Sequence, residues 1–167
     1  MDAPDVALLL LRLWVAVVMI AHGVRHARTL EGTAGWFASL GFRHAPLQAR
    51  ISAAGEIAIG LGIGAGLLTT PAAAGLVATM AVAFWTIHRH AGFFVFARPD
   101  EGYEYVGTLV VVAVALGLLG PGEISVDEAL DIAVTGWGGG LIVLAGIPAA
   151  AIQLLLFWSR PDGAGDA

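Results

Sequence analysis

Five apolar stretches, separated by polar or Gly/Pro-rich breaks, organise this chain. The first covers about 6–27, and its sixteen residues 6–21 hold a single charge, Arg12. Each Leu, Ile or Val favours bilayer insertion by about 0.3–0.6 kcal/mol, whereas one central Arg opposes it by about 2.5–3.5 kcal/mol. The aliphatic residues outweigh the Arg, so 6–27 is predicted to insert as a helix. Arg12 is expected to carry its charged head to the membrane face by snorkelling. The second and third stretches, about 50–68 and 72–90, are separated by Thr69-Thr70-Pro71. Pro suits the opening of a helix, where its missing N–H has no partner in any case, and so short a link makes the two helices antiparallel neighbours.

The fourth stretch, about 105–119, is short; the spacing starts its helix a little earlier, within 102–104. Gly120-Pro121-Gly122 stops it. Ser125-Val126-Asp127-Glu128 then reads as a capping box for a short surface helix. A fifth apolar stretch, 139–158, contains Pro148, which is expected to kink it. The predicted fold is all-α: an integral membrane four-helix bundle core over 1–131, an additional transmembrane helix over 132–158, and a polar, Gly-rich tail, 159–167, expected to be disordered. Two longer segments, 28–49 and 91–104, read as loops dipping to the membrane surface. They carry Trp36 and Phe37, and Phe93, Phe94 and Phe96, aromatics typical of the bilayer interface.

Composition sharpens this picture. Of 167 residues, 58% are hydrophobic and 13% charged, against about 25% charged in soluble domains. Too few charges are present to cover a water-facing surface. Mean hydropathy, +0.84, agrees. The 23 glycines suit closely packed membrane helices. With no Cys, the chain has no disulfide, thiolate site or thiol redox chemistry of its own. All eight basic residues are Arg and form no basic run, which argues against nucleic-acid binding. The opening Met1-Asp2-Ala3-Pro4-Asp5 is acidic where a cleaved signal needs positive charge, so the first helix is expected to be retained.

An ionisable group inside a bilayer is a functional candidate, and connectivity fixes which of them share a depth. The ends of the first and third helices and the starts of the second and fourth lie on one side of the membrane. His22, Arg25 and His26 come near the end of the first helix; Glu56 comes in the second turn of the second. His88, Arg89 and His90 close the third, and Tyr103, Glu104 and Tyr105 open the fourth. At about 100° per residue, His22, Arg25 and His26 share one arc. Ser52, Glu56, Gly60 and Gly64 share an i, i+4 stripe whose small members admit a neighbouring helix, which turns Glu56 inward. The candidate site is therefore a polar pocket of His22, Arg25, His26, Glu56, His88 and Glu104. Simpler roles compete: Arg25, Arg28, Arg89 and Arg98 serve equally as interfacial anchors, the histidines as satisfied structural groups, and Ser125 with Glu128 as a cap alone.

Several short motifs occur in a recognisable order: Leu11-Arg12, His22-Gly23, Gly41-Phe42, Glu56 with glycines behind it, and Gly66-Leu67-Leu68-Thr69. Met80, Gly102-Tyr103-Glu104-Tyr105, and Gly120-Pro121-Gly122 followed by Ser125-Val126-Asp127 complete the series. Over about 7–131 the chain resembles the DoxX family of small bacterial membrane proteins. The resemblance implies a four-helix membrane core in the inner (plasma) membrane, multi-pass, and a tie to membrane redox chemistry, because relatives include a thiosulfate:quinone oxidoreductase subunit. The chain departs from the family in its fifth stretch, and in carrying His22 and Arg25 where many relatives have a Gly and a Lys nearby.

Three functions follow as expectations. One is a subunit of a membrane-associated redox complex, quinone-linked, that docks a soluble oxidoreductase or other membrane subunits and exchanges protons through Glu56 and a His. The second is a non-enzymatic scaffold, small permease or assembly factor. The third, a haem or metal protein pairing His22 or His26 with His88 or His90, is disfavoured because no Glu-x-x-His motif is present. Whether the chain catalyses anything by itself is left open. Arg28, Arg43 and Arg98 lie in 28–49 and 91–104, with Arg25, Arg50 and Arg89 just outside them, so the positive-inside rule places those segments in the cytoplasm and the N-terminus outside.

Overall fold

A computed structural model describes residues 2–96 and 101–161, and among them every regular element is a helix. Helix α1 spans Ala3–Arg28, α2 Leu30–Ser39, α3 Ala45–Ala65 and α4 Thr69–Thr86; a single 3-10 turn, His88–His90, follows α4. Then come α5 Glu104–Leu119, the one-turn α6 Val126–Ala129, α7 Gly136–Leu144 and α8 Gly146–Phe157. Three stretches are long and apolar enough to cross a membrane: Ala3–Arg28, Thr69–Thr86 and Gly136–Phe157. Helix α5 is equally apolar but shorter. Helix α3 has the length, at 21 residues, but carries Gln48, Arg50, Ser52 and Glu56.

Local chemistry explains the boundaries. The Asp2 carboxylate accepts the Asp5 N–H at 3.0 Å, and Asp5 returns the contact to the Asp2 N–H, a reciprocal cap that starts α1 earlier than hydropathy alone predicted. Pro46 sits in the first turn of α3, which begins at Ala45 and not near Arg50. The α3–α4 connection is Gly66-Leu67-Leu68, with Thr69-Thr70-Pro71 already inside α4. Gly66 ends α3 at φ +66°, a conformation that favours glycine. The fifth apolar stretch is two helices, broken at Ala145. The break falls just before Pro148 because a Pro ring collides with the carbonyl four residues earlier, here that of Leu144.

The segment 28–49 is not a loop: its residues 30–39 form α2 and its residues 45–49 open α3. Hydropathy missed it because ten residues with Gly32 and Gly35 give a weak helical signal.

Helices α1 and α3 form the closest pair, antiparallel. Gly23 lies against the Ala53 carbonyl and Ile57, Gly60 against Ile20 and the Ala16 carbonyl, and Gly64 against Ala16. Helix α4 packs on α3, α5 and α7–α8. Val15, Met19, Ile63, Leu76, Val77, Leu109, Ala113 and Leu116 fill a continuous apolar core. Leu10, Trp14, Val17, Ile51, Leu61, Val111, Trp137 and Leu155 stand on the outside, an apolar surface that only lipid or another apolar face would leave unpenalised. Helix α2 lies against α3. The end of α8 returns to the α2–α3 turn, where Trp158 Nε1 donates to the Leu40 carbonyl at 2.7 Å and Phe42 bridges Trp158.

Candidate functional site

Glu56 is the centre of the candidate site. It lies about three turns into α3, one turn deeper than expected, because α3 starts earlier. It is 5% exposed. Ser52, one turn before it, donates its hydroxyl to Glu56 Oε1 at 2.5 Å. The same oxygen is 3.8 Å from His26 Nε2. His26 arrives here because Gly23, on α1, lets the α1 backbone press against Ala53 and Ile57 of α3.

His26 is held on both sides. Its Nδ1 lies 3.3 Å from Thr33 Oγ1 on α2. The Trp36 ring stacks on it and the Phe37 ring meets it edge-on, both with centroids 6.2 Å away. Helix α2 is thus the roof of the site. His22, one turn earlier on α1, is exposed and stacks with Tyr105 of α5, ring centroids 6.3 Å apart. Both are close enough to Glu56 to interact with it electrostatically.

The other predicted pocket residues lie elsewhere on the same end of the bundle. Arg25 is exposed, and its carbonyl accepts the Thr29 hydroxyl at 3.0 Å. His88 Nδ1 lies 2.6 Å from the Glu101 carbonyl oxygen. Glu104 borders a shallow groove with Phe93, Tyr103 and Thr108. Among the described residues no contact joins His88 or Glu104 to Glu56. Arg89 packs its guanidinium over Trp85, 4.2 Å from the ring centroid, as an anchor at a helix end does; Arg98 lies outside the described residues. Thr29, Thr33, Ser52 and Tyr105 belong to the site but escaped the sequence-based pocket. All four carry hydroxyls whose value comes only from what faces them, and Thr33 sits on the helix that hydropathy missed. Among the described residues no group of three or more His, Asp or Glu side chains is placed to hold a metal ion.

A second polar cluster occupies the opposite end. Arg12 does not snorkel: its side chain is 0% exposed. Its Nη2 donates to the Ile124 carbonyl, and Asp127 lies near enough to attract it. The Asp127 carboxylate accepts the Leu68 N–H at 2.6 Å and the Thr69 N–H at 2.8 Å, satisfying free donors at the start of α4. The Asp127 N–H donates to the Gly66 carbonyl at 2.8 Å. Ser125 caps α6 as expected, accepting the Glu128 N–H at 3.2 Å. Arg12 stays inside because the 120–131 segment folds over it and supplies the Ile124 carbonyl and the nearby charge of Asp127.

A helical bundle with an apolar outer belt, a dry core and buried charged clusters defines the class: an all-helical membrane protein in contact with lipid. A family model described as DoxX matches residues 7–89, from α1 to the 3-10 turn, and the chain belongs to the DoxX family. No curated protein and no solved structure matches the chain.

Proposed function

We propose that this protein is a multi-pass inner-membrane subunit of a quinone-linked redox complex, in which Glu56 and His26 exchange protons with the bound redox carrier. The observation that carries the reading is the buried carboxylate of Glu56, 3.8 Å from an imidazole and bonded to the Ser52 hydroxyl, at one end of a bundle whose middle is packed with apolar side chains. Quinone reduction consumes protons as it consumes electrons. The chain has no Cys and so no thiol with which to move electrons itself; electrons would come from a soluble oxidoreductase or another membrane subunit, and this chain's residues would handle protons. An imidazole, which can donate a proton from one nitrogen and accept at the other, suits that task beside a buried carboxyl. His22 and Tyr105 offer a flat, partly open edge beside Glu56 against which a planar ring can lie.

The test is purification in mild detergent followed by mass spectrometry of bound small molecules and proteins, with the quinone-linked activity of membranes measured in parallel. A bound quinone, and loss of activity in Glu56→Gln, are expected. A stable soluble partner with no quinone, together with unchanged activity in Glu56→Gln, would favour a scaffold instead.

A further inference from the structure

A series of groups that can each accept and release a proton connects the buried Glu56 to water at the end of α1. Glu56 Oε1 faces His26 Nε2 at 3.8 Å, a gap that a small approach of the ring or one bridging water closes. The other imidazole nitrogen, Nδ1, is 3.3 Å from Thr33 Oγ1. Thr33 Oγ1 is 3.5 Å from Thr29 Oγ1. Thr29, at the junction of α1 and α2, is exposed, whereas Thr33 and Glu56 are each 5% exposed. We propose that Thr29, Thr33 and His26 form a proton path between the aqueous face and the membrane-buried carboxylate of Glu56. This rests on reading Glu56 as a proton-exchanging group and goes beyond it by naming the route.

The chemistry of each member permits the transfer. A hydroxyl both donates and accepts, and a neutral imidazole donates from one nitrogen and accepts at the other. Uptake begins when water delivers a proton to Thr29 Oγ1; the hydroxyl, which otherwise donates to the Arg25 carbonyl at 3.0 Å, turns and passes its own proton to Thr33 Oγ1. Thr33 passes its proton to His26 Nδ1, and the proton on Nε2 moves to the Glu56 carboxylate. One proton leaves the water, one carboxylate becomes neutral, and the ring changes tautomer; a turn of the ring or the reverse sequence restores it. The Trp36 and Phe37 rings cover part of His26, whose side chain is 19% exposed, so direct entry of water at His26 competes with the hydroxyl series and would show as an unchanged rate in Thr33→Val. Arg25 is the charged neighbour of His26, and His22 and Tyr105 are the other titratable groups near Glu56. His22 is exposed and offers a rival entry, but its contact with Tyr105 is between ring faces, which transfers no proton.

The experiment is a rapid drop in pH on the purified protein in lipid nanodiscs, followed by the infrared carboxylic C=O band that Glu56→Gln removes. Thr33→Val, which deletes the hydroxyl at nearly constant shape, is expected to slow the appearance of that band by about tenfold or more, the lower range of an assisted proton transfer. Thr33→Ser is expected to restore the rate, which separates a relay from a packing role, and His22→Asn, which removes the rival entry, to slow it less than Thr33→Val does. An unchanged rate in Thr33→Val, a rate slowed only by His22→Asn, or a Glu56 band that never responds to pH would each overturn the path. No quinone is needed for this measurement, so its failure and that of the quinone reading are distinguishable.

Discussion

A guanidinium sealed from water must draw its stabilisation from the groups folded around it, and Arg12 has the Ile124 carbonyl and the charge of Asp127. Removing the guanidinium leaves the Ile124 carbonyl without its donor and the buried Asp127 without its neighbouring cation, and an unsatisfied buried polar group costs about 1–3 kcal/mol. Arg12→Ala is therefore expected to lower thermal stability in detergent. Arg12→Lys is expected to rescue little, because a single ammonium does not reproduce the planar guanidinium that reaches the Ile124 carbonyl. Gly66 belongs to the same cluster. Its φ of +66° disfavours any side chain, and a Cβ there would fall on the Arg12 guanidinium and Ser125. The backbone alone makes Gly66→Ala destabilising by about 1–3 kcal/mol, and the collision adds to that in the same thermal measurement.

Among the elements, the α1–α3 pair decides where the site forms. Gly60 and Gly64 let α3 approach α1 until Ile20 and Ala16 touch its backbone, and the same approach sets His26 beside Glu56. In Gly60→Leu, the favourable change in helix propensity, about 1 kcal/mol, is outweighed by a side chain with no space to occupy, since overpacking costs about 1–3 kcal/mol for far smaller additions. The expected outcome is a separated pair: lower thermal stability and a lost contact between His26 and Glu56, read from the infrared band of Glu56. Helix α2 has a different role. It buries little besides Thr33, but it roofs His26 with Trp36 and Phe37, so its contribution is to the environment of the site more than to the core.

Across the whole molecule the arginines lean to one end. Arg25, Arg28, Arg43, Arg50 and Arg89 gather with Glu31, Glu56 and Glu104 at one end, while Asp2, Asp5, Glu123, Asp127, Glu128 and Asp131 lie at the other with Arg12. The positive-inside rule predicts the arginine end on the cytoplasmic side. The absence of Cys makes this directly measurable, because any single introduced Cys reports without background. Ser39→Cys and Glu128→Cys, both at exposed positions, are expected to react with a membrane-impermeant maleimide from opposite faces of oriented vesicles. Labelling of both from one face would contradict a bundle that crosses the bilayer with these two clusters at opposite ends.

Hydropathy by itself determined the helical class, the membrane as solvent, and the place of most helices, because the cost of exposing apolar side chains or burying charges is set by each residue's own chemistry. It also marked Glu56 as unusual and, through i, i+4 spacing, turned it inward. Only the tertiary structure decided that α2 exists and covers the site, that Thr29 and Thr33 line up with His26, that His88 and Glu104 are engaged elsewhere, and that Arg12 stays buried under residues 120–131. Each of these depends on partners distant in sequence or on a short helix with weak local propensity. A hydroxyl or guanidinium has no fixed role until the chain brings a particular acceptor within about 3 Å of it.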